Sequence, residues 1–148
     1  MSRKAHSTAL RAANAVAPDP GTLRHGRDIV EEVHTCDAFG FALARSSQAI
    51  WDALPLEGRA NTWGDEIYFA IPVTLPLAED ARDVVEMGEL GYWPPGRAFC
   101  IFFGRTPASR GGEIRAASPV NVFGRVEGDA KAFKKVRDGD AITLERGD

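Results

Sequence analysis

Thr62-Trp63-Gly64-Asp65-Glu66-Ile67-Tyr68-Phe69-Ala70-Ile71-Pro72-Val73 is the stretch on which the reading of this chain turns. Gly64-Asp65 is a turn signal, and the residues after it alternate. Ile67, Phe69, Ile71 and Val73 fall on one face of an extended strand, with Tyr68 and Ala70 on the other. Pro72 has no amide hydrogen for a ladder, which sets the strand at an edge or ends it. A second aromatic stretch, Gly91-Tyr92-Trp93-Pro94-Pro95-Gly96, reads as a loop and leads into Ala98-Phe99-Cys100-Ile101-Phe102-Phe103. There Phe99, Ile101 and Phe103 face one way and Ala98, Cys100 and Phe102 the other, the pattern of a central strand covered on both sides. The two aromatic stretches are expected to frame one concave face.

On the N-terminal side, Ile29 to Thr35 and Phe39 to Ala44 read as strands joined by Cys36-Asp37-Ala38. Ser46 or Ser47 is expected to cap a short helix with Ile50, Ala53 and Leu54 on one face, and Pro55 stops it. Leu56 to Thr62 reads as a polar loop. On the C-terminal side, residues 74–83 form an acidic loop, and Val84 to Met87, Glu113 to Ala116 and Val120 to Val126 carry strand signals. Asp129 caps a short helix from Ala130 to Val136, Asp138-Gly139 makes a turn, and Ala141 to Glu145 is the last strand. Strands outnumber helices too heavily for repeated βαβ units. The expected fold is mainly β: a closed antiparallel β-barrel of about eight strands with two short helices, closure removing the sheet edges.

At 148 residues the chain is long enough for one domain with a sizeable core. Its charge is uneven: residues 1–27 carry five basic side chains against Asp19 alone, whereas residues 28–148 carry 13 basic and 20 acidic ones. Residues 1–27 are therefore expected to be a disordered basic extension, and residues 28–148 the barrel domain. An acidic domain is a poor phosphate binder, which argues against nucleic acid as a partner. No apolar run is long enough to span a membrane, and the N-terminal stretch lacks the apolar core of a secretory signal. Cys36 and Cys100 make no disulfide framework, which points to a reducing, cytoplasmic setting. The histidines are His6, His25 and His34, so no imidazole comes from residue 35 onward. Neither a nucleophile–His arrangement within the barrel nor a zinc site is expected, and no glycine-rich phosphate loop opens a helix. No cofactor and no metal are expected.

Asp65 and Glu66 are the carboxylates that suggest acid–base chemistry. Adjacent strand residues point to opposite faces, however, which separates the pair. Their expected roles are structural, with Asp65 bonding backbone amides at the turn and Glu66 pairing with an arginine at the rim. Trp63, Tyr68, Tyr92 and Trp93 flank Gly and Pro at strand ends and read either as core packing or, together, as the walls of a groove. Asn121 interrupts an apolar strand, so its amide ties down a neighbouring loop or faces a ligand. Arg97, Arg105 and Arg115 lie near loop junctions where they could hold an anionic group. The candidate ligand-binding set is Trp63, Tyr68, Tyr92, Trp93, Arg97, Phe103, Arg105 and Asn121, with no residue assigned to catalysis.

Ala49-Ile50-Trp51-Asp52-Ala53-Leu54-Pro55, Trp63-Gly64-Asp65-Glu66-Ile67-Tyr68-Phe69 and Gly91-Tyr92-Trp93-Pro94-Pro95-Gly96 resemble the small prokaryotic cyclophilin-like proteins. Phe102-Phe103-Gly104-Arg105-Thr106-Pro107 and Ala117-Ser118-Pro119-Val120-Asn121-Val122 extend the resemblance in order along the chain. It implies a cyclophilin-type barrel with helices covering its ends, and no settled activity. The Phe-His-Arg and Gln-Gly-Gly-Asp segments of true cyclophilins are missing, and fold alone does not transfer function. The expected function is binding of a small ligand or an extended peptide on the aromatic-lined face. The alternatives are a divergent peptidyl-prolyl isomerase, with Arg97, Arg105 or Arg115 polarising the prolyl amide, and a hydrolase or lyase using Asp65 or Glu66. Oligomeric state has no signature in the sequence.

Overall fold

The computed structural model describes residues 7–14, 33–35, 39–41 and 45–146. Its strands are β1 (Ser7–Asn14), β2 (Val33–Thr35), β3 (Phe39–Phe41), β4 (Leu56–Arg59), β5 (Asn61–Thr62) and β6 (Glu66–Ala70). They continue with β7 (Arg82–Val85), β8 (Glu89–Trp93), β9 (Ala98–Phe102), β10 (Ile114–Val126) and β11 (Ala141–Arg146). The helical elements are α1 (Arg45–Ala53) and two 3-10 segments, Pro94–Gly96 and Ala130–Lys135. The fold is mainly β. Expectations for residues 29–32, for the Cys36-Asp37-Ala38 connection and for residues 42–44 lie outside the described residues, as does the expected basic extension apart from Ser7–Asn14.

The strands pair in the order β4-β11-β1-β3-β10-β8-β9-β6-β5, with β2 beside β1 and β7 beside β10. Most ladders are antiparallel, but β1 runs parallel to β11, from Ser7 opposite Ala141 to Ala12 opposite Arg146, and also parallel to β2 and β3. Ser7–Asn14 is thus a strand where disorder is expected. Its sequence, Ser-Thr-Ala-Leu-Arg-Ala-Ala-Asn, is poor in branched and aromatic residues, so its strand state comes from partners remote in sequence. No ladder joins β4 to β5 at the two ends of the order, so the expected closed barrel is not formed by the strand pairing.

Local differences from the sequence reading have physical causes. Leu56–Arg59, read as loop, becomes a strand because Leu56 is buried and its backbone pairs with Leu144 through Ala141 of β11. Gly91-Tyr92-Trp93, also read as loop, is the end of β8; only Pro94–Gly96 turns. The two strands expected within residues 113–126 are one 13-residue strand with irregular register between Arg115 and Val120 and between Val122 and Gly124. The short strand expected from Val84 to Met87 lies two residues earlier, at Arg82–Val85. Helix α1 begins at Arg45, which puts Ser46 and Ser47 inside its first turn, both buried, rather than at the cap. Asp129 does cap the segment Ala130–Lys135, its carboxylate accepting from Lys131 N at 2.9 Å.

Strand β9 lies between β6 and β8, and all five of its residues are buried. Its two faces belong to two separate apolar clusters. Phe99 and Ile101 join Ile50, Ile67, Phe69, Leu90, Phe123 and Leu144 in the larger. Phe99 is central to it, with its ring centroid 5.2 Å from Phe69 and 5.3 Å from Phe123. Ala98, Cys100 and Phe102 face the other way, into a smaller cluster with Val85, Ile114, Ala116 and Val120. Tyr68 and Trp93 pack half-buried at the margin of this second cluster. The candidate site lies there.

Candidate ligand-binding cavity

The turn into β6 sets the geometry. Trp63 N donates to Glu66 O at 2.9 Å, closing a tight turn over Gly64 and Asp65. Gly64 has φ +63, a left-handed conformation that side chains disfavour, and a Cβ there would lie 2.9 Å from Arg105 O. Asp65 then bridges the next loop, its N–H donating to Arg105 O at 2.8 Å and its carbonyl accepting from Phe103 N at 2.9 Å. The turn is therefore locked from both sides. Strand alternation places Glu66 and Tyr68 on one face, opposite Ile67 and Phe69 in the core.

That face forms a cavity of about 220 Å³ lined by Trp63, Glu66, Tyr68, Trp93, Ala116, Ala117 and Val120. Both aromatic stretches contribute to it. Trp93 is fixed along its edge, where Nε1 donates to Ser118 Oγ at 2.7 Å. Gly96 lies under its ring, and a Cβ at that position would approach the indole to 2.9 Å. Across the cavity, the irregular stretch of β10 presents Ala116 and Ala117, whose small side chains leave the space open. Pockets for drug-sized ligands run from ~300 to 1,000 Å³, so this one suits a group of side-chain size. Among the described residues, neither the Trp63 indole nor the Tyr68 hydroxyl has a protein hydrogen-bond partner.

Glu66 is the acidic group of this cavity, and only 5% of it is exposed. Its expected arginine partner is absent among the described residues; the neighbouring polar side chain is the Cys100 thiol, one diagonal step away on β9. Burial pushes the Glu66 carboxyl from its ordinary 4.5 to about 7, against the weaker opposing pull of the Cys100 hydrogen bond. The thiol is itself raised well above its ordinary value by burial and by the nearby Glu66 charge, so it stays protonated. Asp65, by contrast, sends its carboxylate the other way, to 3.9 Å from Lys134 Nζ. It joins the turn through its backbone rather than through the side-chain bonds to amides expected of it.

The other expected residues are placed elsewhere. Tyr92 is fully buried on the core face, its hydroxyl donating to Val73 O at 2.6 Å and accepting from Leu75 N at 3.2 Å. Phe103 packs in the same core, its ring 6.1 Å from that of Phe133. Asn121 ties down the loop after β6: Oδ1 accepts from Ala78 N at 2.7 Å, while Nδ2 donates to Pro76 O at 3.0 Å and Ser46 Oγ at 3.2 Å. Arg97, at φ 46, and Arg105 are exposed and outside the lining. Arg115 is held by Asp83 at 3.0 Å and Glu113 at 3.1 Å. The candidate set missed Ala116, Ala117, Val120 and Glu66. For Glu66 the signal was present, since it shares the parity of Tyr68.

The profile of the cyclophilin-like family matches residues 30–145. Among solved structures, a hypothetical protein from Archaeoglobus fulgidus, determined in solution, is 48% identical over 67% of this chain and 75% of its own, with a TM-score of 0.57. No curated protein matches the chain. No helix among the described residues is long and apolar enough to cross a membrane. With 116 consecutive positions spanned by the profile, from 30 to 145, the chain belongs to the cyclophilin-like family.

Proposed function

We propose that this protein is a binding module whose aromatic cavity takes up one side-chain-sized group of a small ligand or an extended peptide. The observation that carries the reading is the convergence of Trp63, Tyr68 and Trp93, from separate segments, on a space that also holds a buried carboxyl. Aromatic walls with a few placed polar groups are the usual composition of a ligand site. A curled, barrel-like sheet goes with this reading. The ends of the strand order, β4 and β5, follow one another with only Ala60 between them, and Ala60 N donates to Asp140 O while Ala60 O accepts from Gly139 N, both at 2.8 Å. A buried free thiol at Cys100 suits a cytoplasmic location. The isomerase alternative lacks comparable support, because no arginine among the described residues lines the cavity. A paired-carboxylate mechanism lacks it too, since Asp65 and Glu66 diverge.

The test is a thermal-shift screen of small fragments and proline-containing peptides, followed by tryptophan fluorescence titration. A ligand of this cavity changes the emission, and its affinity falls about tenfold or more in both Trp63→Ala and Trp93→Ala. Unchanged affinity in both variants overturns the proposal.

A further inference from the structure

The lining of the cavity also narrows the chemistry of its ligand, an argument that rests on reading the cavity as a binding site. We propose that the group it takes is a tertiary or quaternary ammonium cation, held between the Glu66 carboxylate and the rings of Trp63, Tyr68 and Trp93. Among the described residues no cationic side chain lines the space, whereas one carboxyl and three aromatic rings do. The faces of aromatic rings carry negative potential, so every strong electrostatic feature of the lining attracts a cation and repels an anion.

Glu66 strengthens the case because its demand is unmet among the described residues. It is 95% buried, as its 5% exposure implies, and among the described residues its side-chain partner is a weakly donating thiol, which also lies 3.8 Å from Ala98 O. The same molecule deals with a second buried glutamate differently: Glu89, 6% exposed, receives both guanidinium nitrogens of Arg82 at 2.9 Å. A bound cation would do for Glu66 what Arg82 does for Glu89. The cost of dehydration then selects the kind of cation. A primary ammonium brings three N–H donors and a tightly held hydration shell. The two Glu66 carboxylate oxygens and the Tyr68 phenol oxygen can meet those donors only on one side, and the apolar rest of the lining returns nothing for the hydration shell that is lost. An alkylated ammonium needs one acceptor or none, and its methyl groups suit Ala116, Ala117 and Val120. Among the described residues the titratable groups facing Glu66 are the Cys100 thiol on β9 and the Tyr68 phenol on β6, and neither supplies a competing positive charge.

The experiment uses the full chain and follows the indole N–H signals by NMR during titration with choline. The control is neohexyl alcohol, which is choline with carbon in place of nitrogen; a trimethyllysine-containing peptide forms a second cationic arm. The expected result is that choline shifts the Trp63 and Trp93 signals and binds about tenfold or more tighter than the alcohol. That preference shrinks in Glu66→Gln, where the rings alone attract the cation, and in the native protein choline affinity rises about tenfold from pH 6 to pH 8 as the carboxylate forms. Stronger binding of the peptide than of choline assigns the cation to a modified side chain, and the reverse assigns it to a free amine. Equal binding of choline and the alcohol by the native protein overturns the inference, with no variant needed. If neither shifts the indoles but a fragment from the screen does, the cation reading falls and the cavity reading stands. If nothing shifts them, both fall.

Discussion

Strands β6 and β8 flank the same central strand, and each begins with a buried glutamate: Glu66 is 5% exposed and Glu89 6%. Their surroundings are opposite. Glu89 accepts a two-pronged guanidinium from Arg82, the Glu86 N–H at 2.8 Å, and the more distant charge of Arg125 at 3.8 Å. Burial raises its pKa, but the Arg82 and Glu86 hydrogen bonds and the Arg82 and Arg125 charges more than offset this, and it ends below the ordinary carboxylate range. Glu66 has burial without that compensation and rises to about 7. One glutamate ties Arg82 and the turn at Glu86 to the sheet. The other is a cost to the fold, set in the wall of an open cavity, and such uncompensated groups cluster where proteins bind or react.

The two carboxyls should respond to pH with opposite sign. An acid whose pKa rises on folding holds its proton more tightly in the fold, so its favourable contribution is intact below the unfolded value and is lost as pH rises through the folded one. For Glu66 that window runs from 4.5 to about 7. In urea unfolding, native protein should therefore lose about 3 kcal/mol relative to Glu66→Gln between pH 4.5 and pH 8. A constant difference would remove the contrast with Glu89. For Glu89, whose pKa is lowered, the contribution is present at neutral pH and lost on acidification.

A smaller effect comes from breaking the compensated side. Arg82→Met leaves the Glu89 carboxylate buried without its fork. The Arg82 side chain is 44% exposed and that of Glu89 8%, so solvent softens the loss. We expect about 2 kcal/mol of destabilisation at neutral pH, below the range for fully buried pairs. Adding Glu89→Gln should recover most of it, and an Arg82→Met variant as stable as the native protein would contradict the assignment of Glu89 to structure.

Much of this could be read from the chain, and the parts that could not share a cause. Alternation in residues 67–71 and 98–103 placed Phe69, Phe99 and Ile101 on the core face and Tyr68 and Cys100 on the other, because side-chain parity is a local property. Neighbouring positions in one aromatic stretch were harder. Tyr92 and Trp93 look equivalent as residues, but adjacent strand positions face opposite ways, so Trp93 reaches the cavity while Tyr92 fastens Val73 and Leu75 from within the core. The strand at Ser7–Asn14 and the β4 pairing depend on β11, more than a hundred and about eighty residues away respectively, which local pattern does not carry. An arginine partner for Glu66 is expected only if the residue sits at the rim. Its burial beside the Cys100 thiol is a tertiary fact.

The most direct measurement is a carbon-13 NMR titration of the Glu66 side-chain carboxyl in the native protein, with Glu89 observed in the same spectra. A midpoint near 7 is expected for Glu66 and one below the ordinary carboxylate range for Glu89. A Glu66 midpoint at its ordinary 4.5 would contradict this, because the cavity would then lack the uncompensated buried carboxyl on which its proposed role rests.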